Sequence, residues 1–178
     1  DYSQEFIINC FEEKDTFKNL ENIKNAIELA GDPSGDKFVY LSDIIKVSAM
    51  HRVSDIYGPI RYTKYNDFAT TGEYDSQDIA YQAFFNDLAA AIDGLEQFEG
   101  EPQFAPFDMS SFGGDIASWR RYANSLRLRI AMRVSKVNPT LAKTQGELSL
   151  NSNAGLLESA DMVINTGFSH PIVTISNS

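Results

Sequence analysis

The sequence predicts an all-α fold in which antiparallel helix pairs are joined by long loops. Four long segments repeat apolar residues at the three- and four-residue spacing of a helix, and none alternates convincingly with the two-residue period of a strand. Groups of glycine and proline separate these segments and mark the helix ends. The chain has 178 residues, of which 43% are hydrophobic, so it can bury a real core. We expect a single helical domain over residues 1–178, which is a fragment of a longer protein.

The helix boundaries follow from turn residues and capping residues. The sequence "GDPSGD" ends the first helix, and Gly58 with Pro59 stops the second. Asn138 is a suitable N-cap, and Pro139 fits the first position of the helix after it. The predicted helices are Phe17 to Ala30, about Tyr40 to Ile56, Asp75 or Ser76 to Gly100, residues 118–138, a short helix from Pro139, and one from about Asn153 to Val163.

The net charge, the single cysteine and the apolar runs of the sequence limit which partners and which membrane attachment we expect. The formal net charge is −10, which repels polyanions, so we expect no nucleic-acid partner. Cys10 has no second cysteine with which to form an internal disulfide, and the acidic residues and Asn9 before it do not fit a signal peptide. No run of about 18 apolar residues is present in the sequence, so no segment is predicted to span a bilayer. Neutral partners fit the composition best.

The stretch "SWRRYANSLRLRIAMRVSKVNP" holds five of the seven arginines and the only tryptophan. On a helix these arginines divide between two flanks, which does not produce the single basic face of a nucleic-acid-binding helix. We therefore expect a helix that is buried on two sides, with its arginines bonded to carboxylates and carbonyls. The predicted deep seam is Trp119, Ala123, Leu126, Ile130, Val134 and Val137, the second stripe is Leu128, Ala131 and Met132, and the key structural residues are Trp119, Leu126, Ile130, Arg127 and Arg129.

The same helix resembles the first helix of a tetratricopeptide repeat. Trp119, Tyr122, Ala123 and Leu126 follow its pattern of large and small residues, although no clean 34-residue period follows. The helix pairs are therefore expected to be of the tetratricopeptide-like type.

Three ordered motifs resemble the SusD/RagB-like family. "WRRYANSLRLRIAMRVSKVNP" is similar to the family's tryptophan-to-"ANSLRLRLAMR" helix, and "YDSQDIAYQAFFNDLAAAID" is similar to the helix before it. Upstream, "KVSAMHRVSDIYGPIRYTKY" resembles a family helix and its following turn, except that Arg61 stands where the family usually has a second proline. The resemblance covers about residues 18–164.

This resemblance implies a cell-surface lipoprotein of the Gram-negative outer membrane with an α-helical, tetratricopeptide-like fold. Such proteins capture glycans or other nutrients and sit as a lid on a TonB-dependent, SusC-like transporter. The resemblance therefore implies a glycan ligand, no enzymatic activity, no cofactor, and membrane attachment only through an acylated cysteine upstream of Asp1. It carries no ligand-binding residue over to this chain.

The loop over residues 57–75 has the residue types that sugar recognition needs. Aromatic faces stack on the C–H surfaces of sugar rings, and planar polar groups bond pairs of hydroxyls. The alternative is that the rings fix a long loop onto the helices. The candidate ligand-binding residues are Tyr62, Tyr65, Phe68 and Tyr74, with Asn66 and Asp67 between them.

The segment "DPSGDKFVYLSD" partly matches a calcium-loop template. Asp32, Ser34, Asp36 and Asp43 occupy positions 1, 3, 5 and 12, but Lys37 replaces the glycine of position 6. A capped turn at the start of a helix explains the same residues, so we expect no metal and keep calcium as the alternative.

Two other functions stay open beside glycan capture. The first is a helical-repeat scaffold that binds proteins or peptides and no glycan. The second is a glycan-cleaving enzyme that uses a carboxylate pair such as Asp75 and Asp78. The sequence shows no zinc cluster around His51 or His170 and no nucleophile elbow, so binding without catalysis is the main prediction.

Overall fold

A computed structural model describes residues 16–63, 73–101 and 104–158, together with two short strands farther along. The fold is all-α with helix pairs of the tetratricopeptide-like type, as the sequence predicts. Contacts divide the chain into two compact units, residues 1–84 and 85–178, which are described separately below. That residues 1–178 form a single domain stays a prediction. Within the described part of the chain, no helix combines the length and the apolarity needed to cross a membrane.

The first unit contains a pair of packed helices, α1 (Thr16–Ala30) and α2 (Asp36–Tyr57). A short 3-10 helix, Pro33–Gly35, separates them. The second helix begins at Asp36, earlier than the predicted Tyr40, because the acidic side chain in the first turn suits the positive end of the helix. The two helices are also joined by a buried ion pair, in which Lys46 Nζ lies 2.7 Å from Glu21 Oε1.

The next helix, α3 (Gln77–Gly94), contains the boundary between the two units. A 3-10 helix, Glu96–Phe98, follows it, so the predicted extension to Gly100 is not α-helical. The second unit then forms a packed pair from α4 (Ile116–Arg133) and α5 (Pro139–Leu150). Asn138 caps α5 as predicted, because its side-chain oxygen accepts a 3.0 Å hydrogen bond from the N–H of Leu141.

The apolar seam of α4 is buried over most of its length. Trp119 is 4% exposed, Leu126 4% and Ile130 1%. The helix ends at Arg133 rather than at residue 138, because the Asn138 cap requires a non-helical backbone between α4 and α5. The prediction was consequently wrong for Val137, which is 84% exposed, and for Met132, which is 66% exposed in the last turn.

The helix predicted from about Asn153 to Val163 does not form over the described residues of that range. Residues 151–158 are turns and irregular chain, and β1 (Met162–Ile164) pairs antiparallel with β2 (Val173–Ile175). The physical reason is that side chains of α4 form hydrogen bonds with backbone groups of this segment. Asn124 Nδ2 donates to the Gly155 carbonyl at 2.7 Å, and the Leu157 N–H donates to Ser125 Oγ at 2.9 Å. Bonds to α4 therefore replace the bonds of a helix.

Candidate ligand-binding loop

The loop over residues 57–75 leaves α2 through a tight turn. Gly58 has φ 83°, a left-handed conformation that glycine adopts without steric cost, and its N–H donates to the Ser54 carbonyl at 2.8 Å. Ser54 Oγ donates to the Gly58 carbonyl at 2.8 Å, and Gln77 Nε2 donates to the Ser54 carbonyl at 2.8 Å. The end of α2 and the start of α3 are thus held together by backbone and amide hydrogen bonds.

The two arms of the loop pair with each other at its base. The N–H of Asp75 donates to the Ile60 carbonyl at 2.8 Å, and the reciprocal bond measures 3.2 Å. The buried Asp75 carboxylate accepts further bonds from the N–H of Tyr62 at 2.9 Å, and from the N–H and hydroxyl of Thr63, both at 2.7 Å. One carboxylate therefore satisfies the first residues of the loop and closes its base.

Tyr62, one of the candidate ligand-binding residues, is only 2% exposed. Its ring meets Phe84 edge to face, with centroids 4.7 Å apart. Lys46 Nζ, which also pairs with Glu21, lies 4.6 Å from the centroid of the Tyr62 ring. Tyr62 thus anchors the loop to the helices, which is the alternative that the sequence analysis set beside ligand binding.

Tyr74 is placed differently, because its side chain is 55% exposed at the other arm of the loop. The guanidinium carbon of Arg61 lies 5.4 Å from the centroid of the Tyr74 ring. The sequence alone did not predict that Arg61 and Tyr74 lie together. It did show an arginine at a position where the family usually has a proline. The other two candidates, Tyr65 and Phe68, lie outside the described residues.

The carboxylate pair considered for glycan cleavage has two different environments. Asp75 is committed to the loop base, whereas Asp78 is exposed and accepts a short hydrogen bond from the Ser76 hydroxyl. That bond holds the pKa of Asp78 below its ordinary value. The general acid of a glycosidase needs a raised pKa, whereas the pKa of Asp78 is lowered.

Residues 4–178 match the family model described as SusD-like, "Susd and RagB outer membrane lipoprotein". The chain belongs to the SusD-like family. Among solved structures, a SusD homolog from Bacteroides uniformis is 35% identical with a TM-score of 0.75, over 83% of this chain and 30% of its own. A SusD homolog from Bacteroides vulgatus is 39% identical with a TM-score of 0.67, over 74% of this chain and 28% of its own.

A third relative is a chitin-binding SusD homolog from Flavobacterium johnsoniae. It is 36% identical with a TM-score of 0.70, over 83% of this chain and 32% of that protein. This SusD-like chain therefore spans about three tenths of the length of these solved relatives. Comparison with curated proteins gives no match.

The calcium-loop template of this SusD-like chain is a capped turn followed by a helix. Asp32 caps the 3-10 helix and accepts a 3.0 Å bond from the N–H of Ser34, which lowers the pKa of Asp32. From Asp36 onward the chain is helical, so the ligand positions are not carried by the irregular loop that the template requires. Asp43 lies within that helix and binds Lys24 Nζ at 2.6 Å.

Two arginines of the α4 motif of this SusD-like chain, Arg120 and Arg127, bind partners within the second unit. Arg120, 2% exposed, donates from Nε to the Ile92 carbonyl at 2.8 Å and pairs with Glu99. Arg127 donates to Gln145 Oε1 at 2.8 Å, and burial lowers the pKa of its guanidinium. Arg129 is half-buried. Arg127 therefore joins α4 to α5, whereas Arg120 joins α4 to the end of α3 and the segment after it.

Proposed function

We propose that this chain is the helical part of a cell-surface protein that binds neutral glycan and delivers it to a SusC-like, TonB-dependent transporter of the outer membrane. The observation that carries the proposal is the exposed Tyr74 ring with Arg61 against it, on a loop whose base is fixed. A relative described as chitin-binding supports a glycan as the ligand class. The family description supports attachment of the full-length protein by a lipid anchor.

The chemistry of this pair suits a sugar ring. The open face of an aromatic ring stacks on the C–H face of a pyranose, while the planar guanidinium offers several N–H donors to neighbouring hydroxyls. Because the Ile60–Asp75 pairing and the buried Tyr62 already fix the loop base, less ordering is needed when a ligand binds. The net charge of −10 favours a neutral glycan over a polyanion. Binding without cleavage is the expected activity.

The test is calorimetric binding of the full-length protein to chitohexaose, maltohexaose, xyloglucan and galactomannan. We expect binding to at least one of these glycans, and we expect Tyr74→Ala to weaken it about tenfold, which corresponds to about 1.4 kcal/mol. Tyr74→Phe keeps the ring and should bind like the unaltered protein. The matched control is Phe38→Ala, which removes another partly exposed ring of the first unit, on α2.

Three outcomes would contradict this proposal. Absence of binding to every glycan would reject glycan capture, and binding to a peptide library instead would favour the helical-repeat scaffold. Unchanged affinity in Tyr74→Ala would reject the placement of the site. Release of reducing sugar by the pure protein would favour the glycan-cleaving enzyme.

A further inference from the structure

The loop over residues 104–115, between the second 3-10 helix and α4, is built around one carboxylate. Asp108 Oδ1 accepts from the N–H of Ser110 at 2.8 Å. Asp108 Oδ2 accepts from the N–H of Gly114 at 2.7 Å and from the indole N–H of Trp119 at 3.0 Å. Both oxygens therefore bond to the loop and to α4, so the only charged side chain between residues 104 and 114 is used to fix the loop.

The loop also crosses itself at a glycine. Gly114 has φ 81°, and a Cβ atom added there would lie 2.6 Å from the backbone nitrogen of Ala105 and 2.7 Å from that of Phe104. Only glycine allows two backbone segments to approach so closely. The close crossing fixes the incoming arm of the loop, residues 104–105, against the outgoing arm.

The outgoing arm rests on an aromatic cluster formed by Phe112, Trp119 and Tyr122. The Phe112 ring meets Trp119 edge to face with centroids 5.3 Å apart, and it lies 6.0 Å from Tyr122. Trp119 and Tyr122 are buried parts of α4. The loop is therefore attached to the buried face of α4.

The side chains at the tip of this loop are apolar and exposed to solvent. Phe107 is 83% exposed and Met109 is 50% exposed, and Ala105 and Pro106 beside them are exposed as well. A phenylalanine ring offers on the order of 200 Å² of contact surface. A stable protein interface takes about 800 Å² from each partner, several times more than one ring. An uncharged aromatic ring of this size matches the C–H face of one neutral sugar residue.

We propose that Phe107, with Met109 beside it, is a second carbohydrate contact, which stacks on a neutral sugar residue of a long glycan. The inference rests on the proposed function, because it adds a contact for the same class of ligand. A polymer engages several sugar residues at once, so a second contact raises the apparent affinity for the polymer even when it binds one residue weakly. A hexasaccharide that is held at one contact leaves the other empty, so it gains less from a second contact.

The experiment compares a polymer and a hexasaccharide of the same sugar in the full-length protein. Glycol chitin is paired with chitohexaose, and amylopectin with maltohexaose; polymer binding is measured by affinity electrophoresis and hexasaccharide binding by calorimetry. For the pair that the unaltered protein binds, we expect Phe107→Ala to weaken polymer binding at least about fivefold and to change hexasaccharide binding by less than about twofold. Phe107→Trp should restore polymer binding.

The matched control is Val137→Ala, which removes an equally exposed apolar side chain of the same unit and should leave both affinities unchanged. An unchanged thermal midpoint would show that each variant is folded. If Phe107→Ala binds the polymer as the unaltered protein does, this inference is wrong while the proposed function stands. If the unaltered protein binds neither pair but binds xyloglucan or galactomannan, the same comparison is made with that polysaccharide and its oligosaccharide. If it binds none of these glycans, the binding of Tyr74 to glycan and the contact at Phe107 are both rejected.

Discussion

Asp108 shows how one side chain can fix a loop of a dozen residues. Burial raises the pKa of its carboxyl, but hydrogen bonds from Ser110, Trp119 and Gly114 act in the opposite direction and together bring the pKa below its ordinary value. The ionised carboxylate is therefore bound more favourably in the folded chain than in the unfolded one. The stability that it contributes must depend on pH.

The pH dependence can be measured with Asp108→Asn. Because the folded pKa lies below the unfolded one, the contribution of Asp108 is complete above about pH 5 and is lost as the pH falls through the folded value. We expect Asp108→Asn to lower the free energy of unfolding by about 1 kcal/mol or more at pH 7, since a carboxamide cannot replace all three bonds. The difference from the unaltered protein should shrink towards pH 3 in thermal unfolding. A difference that stays constant from pH 7 to pH 3 would show that the charge of Asp108 is not involved.

At the scale of elements, α4 joins the core of the second unit to α5 and to the chain that follows α5. Its apolar seam is buried, and its polar residues make the bonds to those segments. Asn124, which is 0% exposed, donates to the carbonyls of Ser149 and Gly155, and the Ser149 hydroxyl is bonded to Asn124 in return. Polar groups buried in this way stabilise a structure only when their bonds are complete.

The seam can be tested with Trp119→Ala. Removal of a buried indole with two aromatic neighbours should cost about 3–5 kcal/mol of unfolding free energy in denaturant titration. Val137→Ala, at an exposed position that the sequence had assigned to the same seam, should change it by less than about 0.5 kcal/mol. An unaltered unfolding midpoint in Trp119→Ala would contradict the burial of this helix.

The contrast between Trp119 and Val137 indicates what the sequence could predict. Local signals were sufficient where a residue caps or constrains the backbone beside it, as Asn138 and Pro139 do at the start of α5. They failed for residues 153–163, because the bonds that replace the helix come from Asn124 and Ser125, which are distant in sequence.

The prediction of the candidate loop has the same limit. Its composition indicated several aromatic candidates, but only the packing against Phe84 separates the buried Tyr62 from the exposed Tyr74.

At the scale of the whole molecule, the chain carries a fraction of what a SusD-like protein contains. It spans 28–32% of three solved relatives, so most of the surface of such proteins has no counterpart in this chain. Transporter delivery is therefore a property to test on the full-length protein.

Co-purification provides that test. We expect the full-length protein, extracted from outer membranes in mild detergent, to copurify with a large β-barrel protein of the TonB-dependent class. A variant that lacks the acylated cysteine expected upstream of Asp1 should lose attachment to the membrane, which separates anchoring from partner binding. Recovery of the unaltered protein alone, under conditions that preserve other membrane complexes, would reject the transporter as its partner.

The pairing of Ile60 with Asp75 has a consequence for how this protein can diversify. It joins the two ends of the loop through hydrogen bonds of the backbone and of one carboxylate. We therefore expect the ends of the loop to stay paired when the residues between them are exchanged. A segment from another SusD-like protein can be introduced at this position to test whether the loop sets ligand specificity.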